Sequence, residues 1–251
     1  TDLNMATPPQ RIISLVPSLT ELVIDMGLQE RLVGRTRFCV HPKKKVKEIP
    51  IIGGTKNPRL DKIRDLEPDY IIANKEENRP EDIKALASDF EVNVTEITTI
   101  EDALITIHEL GKKFDTLGKA EKLISNIQEA LEDRPRVSEL NTAYLIWKDP
   151  WMTVGRDTYI NDIMDHWKLP NVFADKKRYP KISLDNLKRQ NPDLILLSSE
   201  PYPFKEKHMA QIEEACPAAR VLLVEGEWFS WYGSRMEHAF KRLNGWRKTI
   251  A

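Results

Sequence analysis

Residues 101–135 read EDALITIHELGKKFDTLGKAEKLISNIQEALEDRP, and their periodicity sets the plan of the chain. Apolar side chains recur at Ala103, Leu104, Ile107, Leu110, Phe114, Leu117, Ala120, Ile124, Ile127 and Leu131. This i, i+3, i+4 spacing belongs to an amphipathic helix, with the charged residues on the opposite face. Gly111 and Gly118 each weaken a helix by about 1 kcal/mol relative to Ala, so a bend or a break into two helices is expected near Gly118. Pro135 marks the stop. At about 1.5 Å per residue, the later half alone, Lys119 to Asp133, reaches roughly 20 Å, enough for a stiff strut joining two bodies.

Matching text lies on either side of that strut. Leu60-Asp61-Lys62-Ile63-Arg64 and then Pro68-Asp69-Tyr70-Ile71-Ile72-Ala73 stand before it; Leu184-Asp185-Asn186-Leu187-Lys188 and then Pro192-Asp193-Leu194-Ile195-Leu196-Leu197 stand after it. Each copy reads as a short amphipathic helix, a Pro-Asp turn and a buried strand of the parallel type. The expected architecture is therefore α/β, two Rossmann-like lobes with mainly parallel sheets joined by a long backbone helix. The expected boundaries are residues 1–100, 101–135 and 136–251.

Composition narrows the partners. The chain has 251 residues, enough for two small cores, and 38 Lys and Arg against 39 Asp and Glu, a formal charge of −1. That balance argues against a general binder of nucleic acid or anionic membrane. The basic cluster His41 to Lys47 reads as a solvated loop. No apolar run approaches the ~20 residues of a membrane span. Cys39 and Cys216 fall in different lobes without Cys-x-x-Cys spacing, so free thiols are expected. The first residue is Thr and no signal peptide is visible. A processed secreted protein, a trimmed chain and a cytosolic protein are all open readings.

In the first lobe, residues 1–10 read as an extended arm. Ile12-Ile13-Ser14-Leu15-Val16 is a strand, and Ser18-Leu19-Thr20-Glu21 has the pattern of a capping box opening a helix that stops at Gly27. The turn at Pro17-Ser18 therefore sits at the carboxyl end of a strand, where open α/β sheets bind ligands. A second strand, Leu32 to Thr36, leads into Arg37-Phe38-Cys39-Val40-His41-Pro42. Cys39 and His41 are metal-ligand types, but a closed site needs three or four ligands, so a buried Cys39 and a loop His41 form the plainer reading. Ile51-Ile52-Gly53-Gly54 is a strand end with a glycine turn that lacks P-loop or dinucleotide spacing; the glycines let a loop approach the cleft. A helix is expected to begin within Asn74 to Asp82.

In the second lobe, the strand Thr142 to Trp147, the helix Tyr159 to Trp167 and the strand Val221 to Val224 frame the repeat. Glu225 to Arg235 then reads as a loop before a closing helix through Met236, Ala239, Phe240 and Leu243. Aromatic residues gather in segments after strands: Trp151, Tyr179, Tyr202, Phe204, Trp228, Phe229, Trp231 and Tyr232. Core aromatics sit within periodic segments, so this placement points to an aromatic-lined inter-lobe cleft for a large, partly flat ligand. Phe229 and Phe204 also read as loop packing. Arg235 reads either as a cap for loop carbonyls or as a partner for a ligand carboxylate or phosphate.

Arg11 to Glu21, the Gly53-Gly54 turn, Leu66-Glu67-Pro68-Asp69 ahead of Tyr70 to Ala73, and Thr153-Val154-Gly155 with its following helix carry a family likeness. From about Arg11 to Leu243 the chain resembles the substrate-binding proteins of iron-siderophore and cobalamin ABC importers, most of all the cobalamin-binding branch. The resemblance implies two α/β lobes on a rigid helical backbone with the ligand held between them. It implies ligand contacts at Pro17, Ser18, Phe38 through His41, Thr55, Lys56, Trp151, Tyr179, Trp228, Trp231 and Arg235. It also implies one acidic residue per lobe meeting arginines of the permease: Glu77 or Glu81, of which Glu81 is chosen, and Glu200 or Glu206, of which Glu206 is chosen. Phe38-Cys39-Val40-His41 departs from the usual aromatic and acidic loop, and His41 there is a candidate axial ligand to cobalt or iron.

The leading expectation is a monomeric binding protein for a metal chelate, a corrinoid such as cobalamin, with ferric siderophore or haem as variants. It would have no permanently bound cofactor, the transported ligand itself carrying cobalt or iron. The resemblance implies a permease partner and a periplasmic or cell-envelope location; a cytosolic corrinoid-binding relative stays open. The competing class, a two-lobed enzyme, needs an acid/base set. His41, His108, His166, His208 and His238 are scattered, and Glu225 with Glu227 is its best candidate pair.

Overall fold

The computed structural model describes residues 7–251. The first six residues of the expected arm lie outside them. The chain divides into two compact units, one holding the chain up to Ile97 with Glu101–Asn126 and Tyr232–Arg235, the other Thr98–Ile100, Ile127–Trp231 and Met236–Ala251.

The first unit begins β1 (Ile12–Ser14), α1 (Pro17–Asp25), β2 (Leu32–Arg35), α2 (Lys43–Val46), α3 (Leu60–Asp65), β3 (Tyr70–Asn74), α4 (Pro80–Ala87) and β4 (Val92–Thr95). Its four strands run parallel in the order β2-β1-β3-β4. The strands β1 and β3 are buried along their whole length, which explains their continuous aliphatic text. Ile13, Leu15, Ile52, Ile63, Ile71 and Leu86 form the core around them. Ile51 adds only an isolated bridge to Arg35 instead of the expected strand.

One correction concerns a helix start. Pro17, with its fixed φ and no N–H to satisfy, takes the first helical position of α1, so Val16 is the cap and no side chain caps the turn. The expected capping box at Ser18 and Glu21 is absent because the helix starts two residues early and Glu21 turns to another partner. The long helical text splits into α5 (Ile100–Lys113) and α6 (Leu117–Glu132). The break falls at Phe114–Thr116, just ahead of Gly118 as expected, with Asp115 in the left-handed region at φ 59°. Phe114 is fully buried there, edge-on to Tyr70 at 5.4 Å. Gly111 serves close approach, since a Cβ at that position would collide with Ala120.

The second unit holds β5 (Thr142–Trp147), β6 (Met152–Thr153), α7 (Tyr159–His166), α8 (Leu184–Gln190), β7 (Leu194–Ser198), α9 (Glu206–Ala215), β8 (Arg220–Val224), α10 (Gly226–Ser230) and most of α11 (Arg235–Thr249). The sheet order is β6-β5-β7-β8, parallel except for β6. The repeat is structural as well as textual: α3 and β3 in the first unit match α8 and β7 in the second. Glu67 and Asn191, each just before Pro-Asp, share φ 46°. The Asp69 carboxylate accepts the N–H groups of Gln10 and Arg11 at 2.8 and 2.9 Å, and Asp193 accepts that of Asn141 at 2.8 Å. Both aspartates donate their own N–H back to the carbonyl of Arg11 or Asn141. Each copy thus docks its turn onto the entry to the neighbouring strand.

Candidate functional site

In the first unit, segments following β1, β2 and β3 converge with the glycine turn. Arg35, a charged residue at the end of an otherwise apolar strand, is only 7% exposed. Its Nε donates to Val46 O at 2.6 Å, and its Nη1 donates to Thr36 O and Cys39 O, both at 3.2 Å. One guanidinium therefore gathers the carbonyls of the segment that carries Phe38 and His41. Cys39 closes the same segment from the other side. Its Sγ accepts Thr20 Oγ1 at 3.1 Å and lies 3.2 Å from Thr36 Oγ1, and burial pushes the thiol pKa up. Cys39 is thus a buried packing residue, while Phe38 stays exposed with the Arg37 guanidinium 5.9 Å from its ring. His41 is half-buried.

Asn78 ties the remaining segments together. Its Nδ2 donates to Leu15 O at 3.3 Å and Thr55 O at 3.1 Å, and its Oδ1 accepts Asn74 N–H at 2.8 Å. Lys56 Nζ donates to Glu76 O. Gly53 adopts φ 113°, and a Cβ there would stand 2.7 Å from Asn57 O, so the turn that places Thr55 and Lys56 requires glycine. A Cβ on Gly54 would lie 3.4 Å from the Phe38 ring. Pro17, Ser18, Phe38, His41, Thr55 and Lys56 are thereby grouped at the carboxyl ends of the strands, the ligand edge of an open α/β sheet. Arg35 and Asn78 escaped the sequence reading. The signal for Arg35 was a charge placed inside an apolar strand; Asn78 gave none among its polar neighbours.

Arg235 also belongs to the first unit. Its Nε and Nη2 reach the two oxygens of Glu21 at 3.0 and 2.8 Å, a bidentate pair. Of the two readings open in the sequence, carbonyl cap or ligand partner, neither describes this contact. The Glu21 carboxyl pKa is raised, first by burial and secondarily by Asp25, against the opposing pull of Arg235 and His41.

In the second unit the candidate aromatics occupy different settings. Trp151 stacks on Phe204 with centroids 6.2 Å apart and rings 4° from parallel, and Lys148 Nζ lies 5.5 Å from its ring. Tyr179 is half-buried with the Arg178 guanidinium 5.7 Å away. Trp228 lies within α10, a helix inside the stretch expected to be a loop, and Trp231 caps its carboxyl end. Among the loop aromatics, Phe229 and Phe204 pack as their sequence reading suggested, and Tyr232 is less available than expected. Phe229 is fully buried against Tyr144 at 5.0 Å, and Phe204 and Tyr232 are buried as well. Short connections here lie directly on the sheet, so residues outside periodic segments still enter the core.

The acidic candidates separate sharply. Glu81, in the first turn of α4, and Glu206, in the first turn of α9, are exposed. The Glu200 carboxylate instead accepts Ser230 Oγ at 2.7 Å and Trp231 Nε1 at 2.9 Å on one oxygen. Its pKa is raised by burial first, then by the charges of Glu227 and Glu225. Among the described residues no group of three or more His, Cys, Asp and Glu side chains is arranged to hold a metal ion, and both cysteines are free thiols. No described helix is long and apolar enough to cross a membrane.

A family model described as periplasmic binding protein matches residues 12–246. An uncharacterised ABC transporter substrate-binding lipoprotein of Bacillus subtilis is 28% identical over 209 residues, 78% of this chain and 65% of that protein's length. A vitamin B12-binding protein of Vibrio parahaemolyticus is 26% identical over 226 residues, 87% of this chain and 81% of that protein. The periplasmic heme-binding protein of Roseiflexus, solved in its apo form, superposes with a TM-score of 0.84 at 19% identity, covering 96% of this chain and 98% of that one.

Proposed function

This chain belongs to the periplasmic binding protein family, and from that premise we propose that it captures a metal chelate outside the cytoplasm and delivers it to the permease of an ABC importer. The ligand in this reading is a corrinoid such as cobalamin. The observation that carries the choice is the match, across 87% of the chain, to a relative named for binding vitamin B12. The grouping of Pro17, Ser18, Phe38, His41, Thr55 and Lys56 at strand carboxyl ends supports it, because that edge is where an open α/β sheet presents backbone and side-chain contacts.

The residues divide the work by chemistry. Phe38 in the first unit, and Trp151, Tyr179, Trp228 and Trp231 in the second, offer ring faces and edges to a flat macrocycle. Ser18, Thr55 and Lys56 offer polar anchors at its periphery, and Arg235 contributes from its pair with Glu21. His41 Nε2 or Nδ1 supplies an axial nitrogen to the ligand's cobalt or iron, which already brings its equatorial donors and so needs no closed protein site. Glu81 and Glu206 are exposed carboxylates suited to arginines on the permease.

The test is an absorbance titration of the protein with aquocobalamin and dicyanocobinamide, with haemin in parallel and His41→Ala as the control. Saturable corrinoid binding with a spectral shift lost in His41→Ala is the expected result. Binding with the shift retained in the variant removes His41 from the metal. Absence of binding to both corrinoids overturns the corrinoid assignment, and saturable haemin binding in their place transfers it to haem.

A further inference from the structure

Glu200 was a candidate for permease docking, yet its carboxylate faces inward. One oxygen, Oε1, accepts both the Ser230 hydroxyl at 2.7 Å and the Trp231 indole N–H at 2.9 Å. The surroundings leave that carboxyl little freedom. Ser198 Oγ donates to Glu200 O at 2.6 Å, and Gly226 N–H donates to Ser199 Oγ at 2.8 Å, so the segment after β7 is laced to the start of α10. A Cβ on Gly226 would stand 2.5 Å from Glu200 Cγ and from Ser198 Oγ, so only glycine lets the helix seat against the glutamate. Two further carboxylates, Glu225 and Glu227, flank it. Placing a buried acid beside two like charges is unfavourable, and the arrangement therefore needs a compensating return beyond packing.

We propose that Glu200 is a positioning residue that fixes the orientation of the Trp231 indole and thereby sets the affinity for a flat ligand. A tryptophan N–H is a donor only, and a buried or half-buried indole adopts the rotamer in which that donor is satisfied. A carboxylate acceptor makes the bond charge-assisted and stronger than a neutral one. With Nε1 held by Glu200, the ring cannot turn about its side-chain torsions without breaking the bond. Ser230, one helical turn after Gly226 on α10, holds the same oxygen in place and donates to Gly226 O as an alternative acceptor. This inference rests on the reading of Trp231 as a ligand contact.

The experiment separates the two. The Trp231 indole N–H resonance, assigned by its loss in Trp231→Phe, is recorded without ligand in the parent protein, Glu200→Ala and Glu200→Gln. Affinity for aquocobalamin and haemin is then measured in the same set and in the double variant Glu200→Ala with Trp231→Phe. The expected result is a shifted, faster-exchanging indole N–H in Glu200→Ala and about tenfold weaker binding, the equivalent of one hydrogen bond to a charged group. Glu200→Gln, which keeps an acceptor oxygen, restores the resonance and most of the affinity. In the Trp231→Phe background the Glu200→Ala change has no further effect. An unmoved indole resonance in Glu200→Ala overturns the proposal, as does a moved resonance with unchanged affinity. A parent protein that binds neither probe overturns the ligand reading, and the binding half of this proposal with it, whatever the ligand-free resonance shows. If Glu200→Ala does not fold, Glu200→Asp keeps the charge and withdraws the oxygen by one methylene, and the same outcomes apply.

Discussion

Replacing Arg35 with Met tests whether a single buried guanidinium organises the segment Thr36–Val46. Met retains the length of the aliphatic stem and removes every donor. Three carbonyls lose their partner: Val46 O at 2.6 Å, and Thr36 O and Cys39 O at 3.2 Å. The short bond to a charged donor is worth about 1.5–3 kcal/mol, and the two long ones about 0.5–1 kcal/mol each. Removing the charge returns part of its desolvation cost. The freed carbonyls can also reach water, because Arg37, Phe38 and Val40 beside them are exposed. The net loss expected for the first unit is therefore about 2–3 kcal/mol, concentrated in this segment. Hydrogen exchange is the assay of choice because it resolves the two units separately. The amides of Arg37, Cys39 and Val46, bonded to Gly53 O, Thr36 O and Pro42 O, should exchange about 30-fold faster or more, while those of β1 and β3 speed up only to the extent of the global change. Corrinoid affinity should fall in parallel, since Phe38 and His41 ride on the same segment. Exchange of those three amides within about threefold of the parent would refute the assignment, because that corresponds to less than about 1 kcal/mol.

Glu21→Gln should change the pH dependence of stability in a stated direction. The Glu21 pKa in the fold lies above its ordinary value of 4.5, so its contribution to stability is full below that value and is lost as pH rises through the folded pKa. The variant should show a flatter stability profile over that window by urea unfolding, and an unchanged profile would count against a raised Glu21. Arg235→Met leaves the Glu21 charge buried without its bidentate partner and should cost about 2 kcal/mol at pH 7, less than for a fully enclosed pair because Arg235 retains some exposure. Asp69→Ala and Asp193→Ala remove equivalent turn-to-strand bonds in the two units. Each should lower stability by about 1–2 kcal/mol, with Asp69 the costlier because it accepts two N–H groups against one. Equal effects would refute the ranking by bond count, and no effect at either site would refute the role of these bonds in docking the turns.

The fold was legible where side-chain burial imposes a period or a turn imposes a backbone geometry. Ile12 to Ser14, Tyr70 to Asn74 and Leu194 to Ser198 declare buried parallel strands by unbroken aliphatic text, and the two Pro-Asp turns declare the repeat. What stayed hidden depends on contacts between residues far apart in sequence. Glu21 looked like a capping-box acid because Ser18 precedes it by three, but its partner, Arg235, is 214 residues away, and no local pattern competes with a bidentate guanidinium. Phe229 read as packing and is buried, although the five-residue α10 that carries it is too short to show a period; Tyr232 looked available because it lies outside any periodic run, yet it too is buried. The grouped edge of the first unit was half legible for the same reason. Pro17, Ser18, Thr55 and Lys56 sit beside strand ends and glycines that sequence patterns mark, whereas the residues that hold those segments in place, Arg35 and Asn78, act by donating to carbonyls. A backbone carbonyl is present at every position and leaves no trace in the text, so an acceptor chosen by the fold is invisible until the chain is folded. The residues most worth mutating first are therefore the buried polar ones, whose partners the sequence could not name.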